Sequence, residues 1–162
     1  MIGNDVVDLD LAKTESNWKR KGFLDKIFTK AEQQLILNDE NPNILVWNFW
    51  SRKEAVYKIF NRETKIRVYN PIQFECSKSD IEGNGTVCFK DVTYYTKTHL
   101  EYDCLKTIAV KNQSDFDKIS ILPNRNGIVK VNGIPSIHNK PVSISNHGRF
   151  EEILVLNSES GF

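Results

Sequence analysis

The sequence predicts an α+β fold in which an antiparallel sheet packs against one long central helix. The stretch from Trp47 to Phe60 has no Gly or Pro and few turn formers, so it reads as a helix. Projected at about 100° per residue, Leu45, Phe49, Val56 and Phe60 share one side, while Trp47, Trp50, Ser51, Glu54 and Lys58 share the opposite one. A helix that seeks burial on two sides runs through a domain rather than over it. From Ile66 to Val110 the pattern changes to short β-branched and aromatic runs between polar breaks, with Gly83-Asn84-Gly85 as a hairpin turn.

Taken in order, Ile2, Val6, Val7, Leu9 and Leu11 suggest a short buried strand interrupted by Asp5, Asp8 and Asp10. In an extended chain Asp5 points away from the face that carries Asp8 and Asp10. Residues 13–30 are helix-rich and basic, with Lys13, Lys19, Arg20, Lys21, Lys26 and Lys30 against only Glu15 and Asp25. Such a run is either a solvated helix face or a docking surface. Thr29 followed by Glu32 is a capping box, so the next helix starts there and carries Ala31, Leu35 and Ile36 inward. Asn38 to Asn43 is a polar break containing Pro42. On the central helix, Glu54 and Lys58 are spaced i,i+4. They form either an ordinary surface pair, contributing roughly 0.2–0.5 kcal/mol, or enclosed charges that must pair or meet a ligand.

Beyond the helix, strands are expected at Ile66–Tyr69, Ile72–Cys76, Gly85–Phe89, Val92–Thr96 and Leu105–Val110. A further strand is expected at Glu151–Leu156, followed by a frayed tail from Asn157 to Phe162.

With 162 residues, of which 40% are hydrophobic and 27% charged, the chain reads as one domain, 1–162, able to bury its own core. A net charge of +1 leaves any acidic partner to a local patch. No basic stripe accompanies the Thr- and Tyr-rich strands, so no nucleic-acid partner is expected. No apolar run reaches about 18 residues and no signal-peptide pattern opens the chain, which points to a cytoplasmic protein without a membrane partner. Cys76, Cys88 and Cys104 are odd in number and lack C-x-x-C spacing, which favours reduced thiols over a zinc site.

Trp50-Ser51-Arg52-Lys53-Glu54-Ala55-Val56-Tyr57-Lys58 resembles the W-x-x-K-E-A-x-x-K signature of the 4'-phosphopantetheinyl transferases, which load carrier proteins with the arm of coenzyme A. Gly3-Asn4-Asp5 resembles the G-x-D that opens the holo-acyl-carrier-protein synthases of that superfamily. Gly22 to Glu32 resembles the family's F-L-x-x-I-F-T-x-x-E run. Val131 to Pro135 resembles a G-x-P turn, and Pro141 to Gly148 an S-I-S-H strand end. The larger members carry D-x-E at the first motif. Here the third acid is replaced by Val7, which favours the two-carboxylate, single-domain type; Asp8 matches an acidic position but is not counted as a ligand. Two departures stand out. Asn61 to Lys65 holds no glycine where relatives carry a Gly-rich turn, and the family His falls on Asn146, so either Asn146 replaces it or the adjacent His147 takes over.

The resemblance implies a 4'-phosphopantetheinyl transferase-like fold and transfer of phosphopantetheine from coenzyme A to a serine of an acyl or peptidyl carrier protein. Magnesium would be held by Asp5 and Glu54, and hard carboxylate oxygens suit it. Glu54 and Lys58 would be catalytic, with Lys58 neutralising phosphoryl oxygens and either Glu54 or a metal-bound water as base. Lys53, Lys65, Ser145, Asn146 and His147 are candidate coenzyme A contacts. Lys19, Arg20 and Lys21 are candidates for docking an acidic carrier protein. Similar chains form trimers, so a homo-oligomer is implied in which the Ser143-to-His147 edge serves the metal site of an adjacent subunit. Two other readings are a degenerate, non-catalytic module that binds coenzyme A or a carrier protein, and a magnesium-dependent phosphodiesterase.

Overall fold

A computed structural model describes residues 1–158. Strand β1 (Ile2–Asp8) leads directly into helix α1 (Leu9–Glu15), whose first turn is capped by the Asp8 carboxylate accepting from the Leu11 N–H. Helices α2 (Phe23–Ile27) and α3 (Lys30–Leu37) follow, then the central α4 (Pro42–Thr64). The Thr29–Glu32 capping box closes reciprocally, as expected. Ile36 is fully buried and Leu35 half-buried, but Ala31 faces solvent on the outer side of α3.

Helix α4 runs through the molecule: no residue from Ile44 to Arg62 is fully exposed. Its apolar side chains Val46, Phe49, Val56 and Ile59 reach zero exposure. So do Arg52 and Lys53, which sequence reasoning did not place in the core.

Ten strands form two five-stranded antiparallel sheets among the described residues. The first contains β2 (Glu75–Cys76), β3 (Asn84–Phe89), β4 (Val92–Glu101) and β5 (Cys104–Val110), in the order β1-β5-β4-β3-β2. The second contains β6 (Ile119–Ile121), β7 (Val129–Val131), β8 (Ile134–Ile137), β9 (Lys140–His147) and β10 (Phe150–Leu156), in the order β6-β10-β9-β8-β7. No helix among the described residues is long and apolar enough to cross a membrane.

The expected strand at Ile66–Tyr69 is absent, and that at Ile72–Cys76 shrinks to Glu75–Cys76 behind a 3-10 turn at Pro71–Gln73. The cause is local. Lys65 caps α4 in the left-handed region at φ 62°, and the chain returns along the helix with Tyr69 stacked on Tyr57 and Phe74 edge-on to it instead of pairing with a strand. The turn expected at Gly83-Asn84-Gly85 falls earlier, because the Asp80 carboxylate accepts from the Glu82 and Asn84 N–H groups and leaves Asn84 and Gly85 in β3. Asn132-Gly133 does form the turn anticipated there, joining β7 to β8 with both residues at positive φ. Of the expected tail, Asn157 is tied by its side chain to the Lys118 carbonyl and to Ser120, and residues 159–162 lie outside the described residues.

Candidate active site

Gly3 explains how the first strand reaches the central helix. A Cβ at that position would lie 1.9 Å from the Ala55 carbonyl oxygen, so only glycine lets β1 lie directly on the α4 backbone. Two residues on, and therefore on the same face, Asp5 is pressed against the helix beside Ser51, Glu54 and Lys58. The G-x-D spacing is thus a packing requirement followed by a functional group.

The other edge of β1 is closed by side chains. The N–H groups of Asn4, Val6 and Asp8 donate to Ser143 Oγ, Ser145 Oγ and His147 Nδ1, at 3.1, 3.1 and 2.9 Å. Alternate residues of β9 thereby stand in for a missing ladder. From α4, Lys58 Nζ donates to the Asn4 carbonyl (2.6 Å) and to that of Ile144 (3.2 Å), while Arg62 donates to that of Ile2 (2.9 Å). Lys58 and Arg62 are one turn apart, and the carbonyls they take from β1 are two residues apart.

This seam holds the two acids at one cleft of about 400 Å³. Asp5 and Glu54 line it with Asn146, His147 and Glu15 at its polar end; Phe23, Ile27, Trp47 and Trp50 form its apolar wall. Burial pushes the Asp5 carboxyl up to about 6, against the pull of Lys58 and of hydrogen bonds from Ser51, Ser145 and the Val6 N–H. Burial, followed by repulsion from Asp5, pushes Glu54 up to about 7, with Lys58 and the Tyr69 hydroxyl pulling the other way. Burial lowers the Lys58 ammonium, and Asp5 and Glu54 partly restore it. A row of buried hydroxyls, Thr98, Thr107 and Ser51, runs to Asp5 with separations of 3.0 and 2.9 Å between successive oxygens. Sequence reasoning missed Ser51 as a partner of Asp5. It also missed Tyr69, which sits in a stretch read as a strand.

The residues singled out from sequence divide into those the fold brings together and those it does not. Asp5, Glu54, Lys58, Ser145, Asn146 and His147 converge. Ser145 donates to Asp5 Oδ1 (3.3 Å) while accepting from Val6, so its hydroxyl orients the acid. Asn146 is exposed in the cleft. His147 accepts through Nδ1, which places its ring proton on Nε2, 2.9 Å from Glu15 Oε2; neither nitrogen is left free.

Lys53 does not face the cleft. It is fully buried, paired with Glu32 at 2.9 Å and bonded to the carbonyls of Pro71 and Phe74, so a coenzyme contact is replaced by a structural one. Lys65 caps the far end of α4, about 16 Å along the axis from Glu54, and reaches the Asn132 carbonyl. Lys19, Arg20 and Lys21 are exposed on the turn between α1 and α2. There Lys19 borders a larger cleft of about 540 Å³, which meets the first at Ser16 and Trp47 but contains only Asp103 as an acid. Asp8 is an N-cap gripped by Arg149. The Ser143-to-His147 edge was expected to serve a neighbouring subunit; it meets Asp5 of its own chain, because β9 runs along β1.

Among the described residues no three His, Cys, Asp or Glu side chains gather as metal ligands, which leaves the Asp5–Glu54 pair. Two enclosed carboxylates of like charge, flanked by a hydroxyl and an amide and by no free thiolate or imidazole, form a hard-oxygen donor set. Such a set fits magnesium, which takes one or two protein carboxylates and completes its shell from phosphate and water.

Comparison with known proteins follows the same geometry. A holo-[acyl-carrier-protein] synthase of Protochlamydia amoebophila is 37% identical over 59 residues, which make up 35% of this chain and 47% of that protein, so the chain spans just under half of that relative. Among solved structures, an apo-ACPS from Chronobacterium ammoiniagenes superposes with TM-score 0.54 at 15% identity, covering 67% of this chain and 93% of that one. The holo-[acyl-carrier-protein] synthase of Thermotoga maritima gives TM-score 0.52 at 15% identity, covering 78% of each chain. That of Neisseria meningitidis gives 0.52 at 16%, covering 69% of this chain and 97% of that one. These likenesses establish the fold. The family model of the 4'-phosphopantetheinyl transferase superfamily matches residues 1–111, which include β1, α4 and both cleft acids. On that match the chain belongs to the 4'-phosphopantetheinyl transferase superfamily.

Proposed function

We propose that this protein transfers the 4'-phosphopantetheine group of coenzyme A to a serine hydroxyl of an acyl carrier protein, in a magnesium-dependent reaction. The observation that carries the proposal is the meeting of Asp5 and Glu54 at one cleft, both pushed toward neutrality by burial. Family membership and the relative named as a holo-[acyl-carrier-protein] synthase support the choice of reaction.

In the transfer, the serine oxygen forms a bond to the phosphorus that bears the pantetheine arm. The bond from that phosphorus to the diphosphate bridge breaks, and adenosine 3',5'-bisphosphate leaves. Asp5 and Glu54 would hold a magnesium ion, which would supply positive charge to the diphosphate; Ser145 and Ser51 fix the Asp5 carboxylate. Glu54, at the cleft, is placed to take the serine proton directly or through a water at the cation site. Lys58 has two donors committed to backbone carbonyls; its third N–H is the one left for a phosphoryl oxygen. Asn146 offers a neutral donor at the mouth, and His147 acts as a brace. The apolar wall of Phe23, Ile27, Trp47 and Trp50 suits the uncharged arm of the substrate. Lys19, Arg20 and Lys21 offer an acidic carrier an electrostatic approach that raises the association rate more than the affinity.

The test is to incubate the protein with an apo carrier protein, coenzyme A and Mg²⁺ and to look for the phosphopantetheine adduct by mass spectrometry. Adduct formation that is lost with EDTA supports the proposal. Coenzyme A binding by calorimetry without any adduct would identify a non-catalytic binding module instead.

A further inference from the structure

Tyr69, packed behind the cleft wall against Trp50, is a buried polar group that the reaction as described does not use. Its hydroxyl oxygen is buried and closes no hydrogen bond of ordinary geometry. An unpaired buried hydroxyl costs about 1–3 kcal/mol, so a retained one calls for an explanation. The ring is held from three sides: stacked on Tyr57 at 4.4 Å, edge-on to Trp50 at 6.3 Å and to Phe74 at 5.6 Å. This clamp leaves the hydroxyl little freedom to find another partner. Its ring partners on α4, Trp50 and Tyr57, lie one turn before and one turn after Glu54, so the phenol sits over the helix face that carries this carboxylate, and the two groups are electrostatically coupled. Both partners belong to rigid surroundings, Glu54 to α4 and Tyr69 to the segment that folds back along the same helix.

We propose that Tyr69 is the positioning residue of the cation site: its hydroxyl donates to the Glu54 oxygen that faces away from the cation and so fixes the carboxylate for coordination. The inference rests on the assignment of Glu54 as a ligand and deepens it by naming the group that orients it. Outer-shell partners of this kind commonly change metal affinity by 10–100-fold when removed. Tyr69→Phe keeps the ring, the stack on Tyr57 and the contacts with Trp50 and Phe74, and removes only the donor.

The experiment is a Mn²⁺ titration of the full chain, followed by electron paramagnetic resonance of the free ion, on the parent and on Tyr69→Phe, Tyr57→Phe and Glu54→Gln. Tyr69→Phe is expected to weaken binding about 10-fold with a metal-free melting temperature no lower than the parent's. Tyr57→Phe, which removes a hydroxyl from the same stack, is expected to bind as the parent does. Magnesium titrations of the transfer reaction should show the same rise in the concentration needed for half-maximal rate in Tyr69→Phe, with the rate at saturating Mg²⁺ retained. Binding by Tyr69→Phe within twofold of the parent, alongside loss of binding in Glu54→Gln, would overturn the role of Tyr69 and leave the metal assignment standing. Unchanged binding in Glu54→Gln would overturn both.

Discussion

Replacing Glu54 by Gln should remove transfer activity and, above neutral pH, make the protein more stable. Glu54 ionises at about 7 in the folded chain against 4.5 as a free side chain. Because the folded pKa is raised, the unfolded state gives up its proton first. Folding stability therefore falls as pH rises from about 4.5 to about 7 and stays low above that. At 1.36 kcal/mol per pH unit, the full loss is roughly 3 kcal/mol. Glu54 borders an open cleft, so solvent screening brings the figure to about 1–3 kcal/mol. Gln keeps the shape and an acceptor for Tyr69 but carries no charge and feels no repulsion from Asp5. For a chain of this size 1 kcal/mol moves the melting temperature by about 2–4 °C. The variant should therefore melt roughly 2–12 °C above the parent at pH 8 in EDTA and close to it at pH 4.5. Added Mg²⁺ should narrow the gap at pH 8 by stabilising the parent, because a ligand that binds only the native state stabilises it by mass action. Differential scanning calorimetry at the two pH values, with and without Mg²⁺, measures all four conditions. A variant that melts below the parent at pH 8, or a gap that does not depend on pH, would refute the claim that these acids are held together at a cost only a cation relieves.

Lys53→Met should cost about 3–5 kcal/mol, because Glu32 would be left charged and unpaired in the core; a Glu32→Gln, Lys53→Met double variant should recover part of that in urea unfolding. Gly3→Ala should destabilise by more than the usual 1–3 kcal/mol of overpacking, since the new methyl meets the Ala55 backbone and not a movable side chain, and chemical denaturation measures the loss. Arg149 holds the Asp8 carboxyl well below its ordinary value of 3.8, chiefly through its side-chain hydrogen bonds. A depressed acid stabilises above its unfolded pKa and loses that contribution as pH falls through the folded value, so the stability difference between the parent and Arg149→Met should be constant above about pH 4 and shrink below it. A difference that grew on acidification would show the bridge to be irrelevant.

Much of the cleft was legible because its signals are local. A strand places Gly3 and Asp5 on one face, a helix places Glu54 and Lys58 one turn apart, and both patterns sit in unbroken secondary structure. What could not be read were interactions set by distant chain segments. Arg52 and Lys53 look like surface residues of a polar quartet, yet Arg52 is buried against Thr96, Ser77, Ser79 and Thr86 from the first sheet and the loop preceding β3. Lys53 is buried because Glu32 arrives from α3 and the turn at Pro71–Phe74 offers carbonyls. A lysine buried with full partners has the same sequence as one in solvent. The fold-back that carries Tyr69 to Glu54 was hidden for a related reason: β-branched and aromatic residues pack against a helix as readily as they pair in a sheet. The direction of Ser145 was also not decidable in advance, because a strand end that meets its own chain and one that meets a neighbour read alike.

The second sheet lies beyond the residues matched by the family model, yet it is not peripheral to the chemistry. Strand β1 pairs with β5 on one side only, and its other edge would present the Asn4, Val6 and Asp8 N–H groups unpaired. Side chains at alternate positions of β9 close that edge, and the middle one, Ser145, also bonds Asp5. One hydroxyl therefore takes the Val6 N–H and directs its own proton to the acid beside it. Closing the strand edge and aiming the carboxylate are a single structural event, so a substitution such as Ser145→Ala must disturb both. It leaves the Val6 donor without a partner, a cost of about 1–3 kcal/mol, and frees Asp5 to rotate. If the serine were only a strand-edge plug, Ser145→Ala would lower stability and leave Mn²⁺ affinity unchanged. On the geometry described, both should fall together.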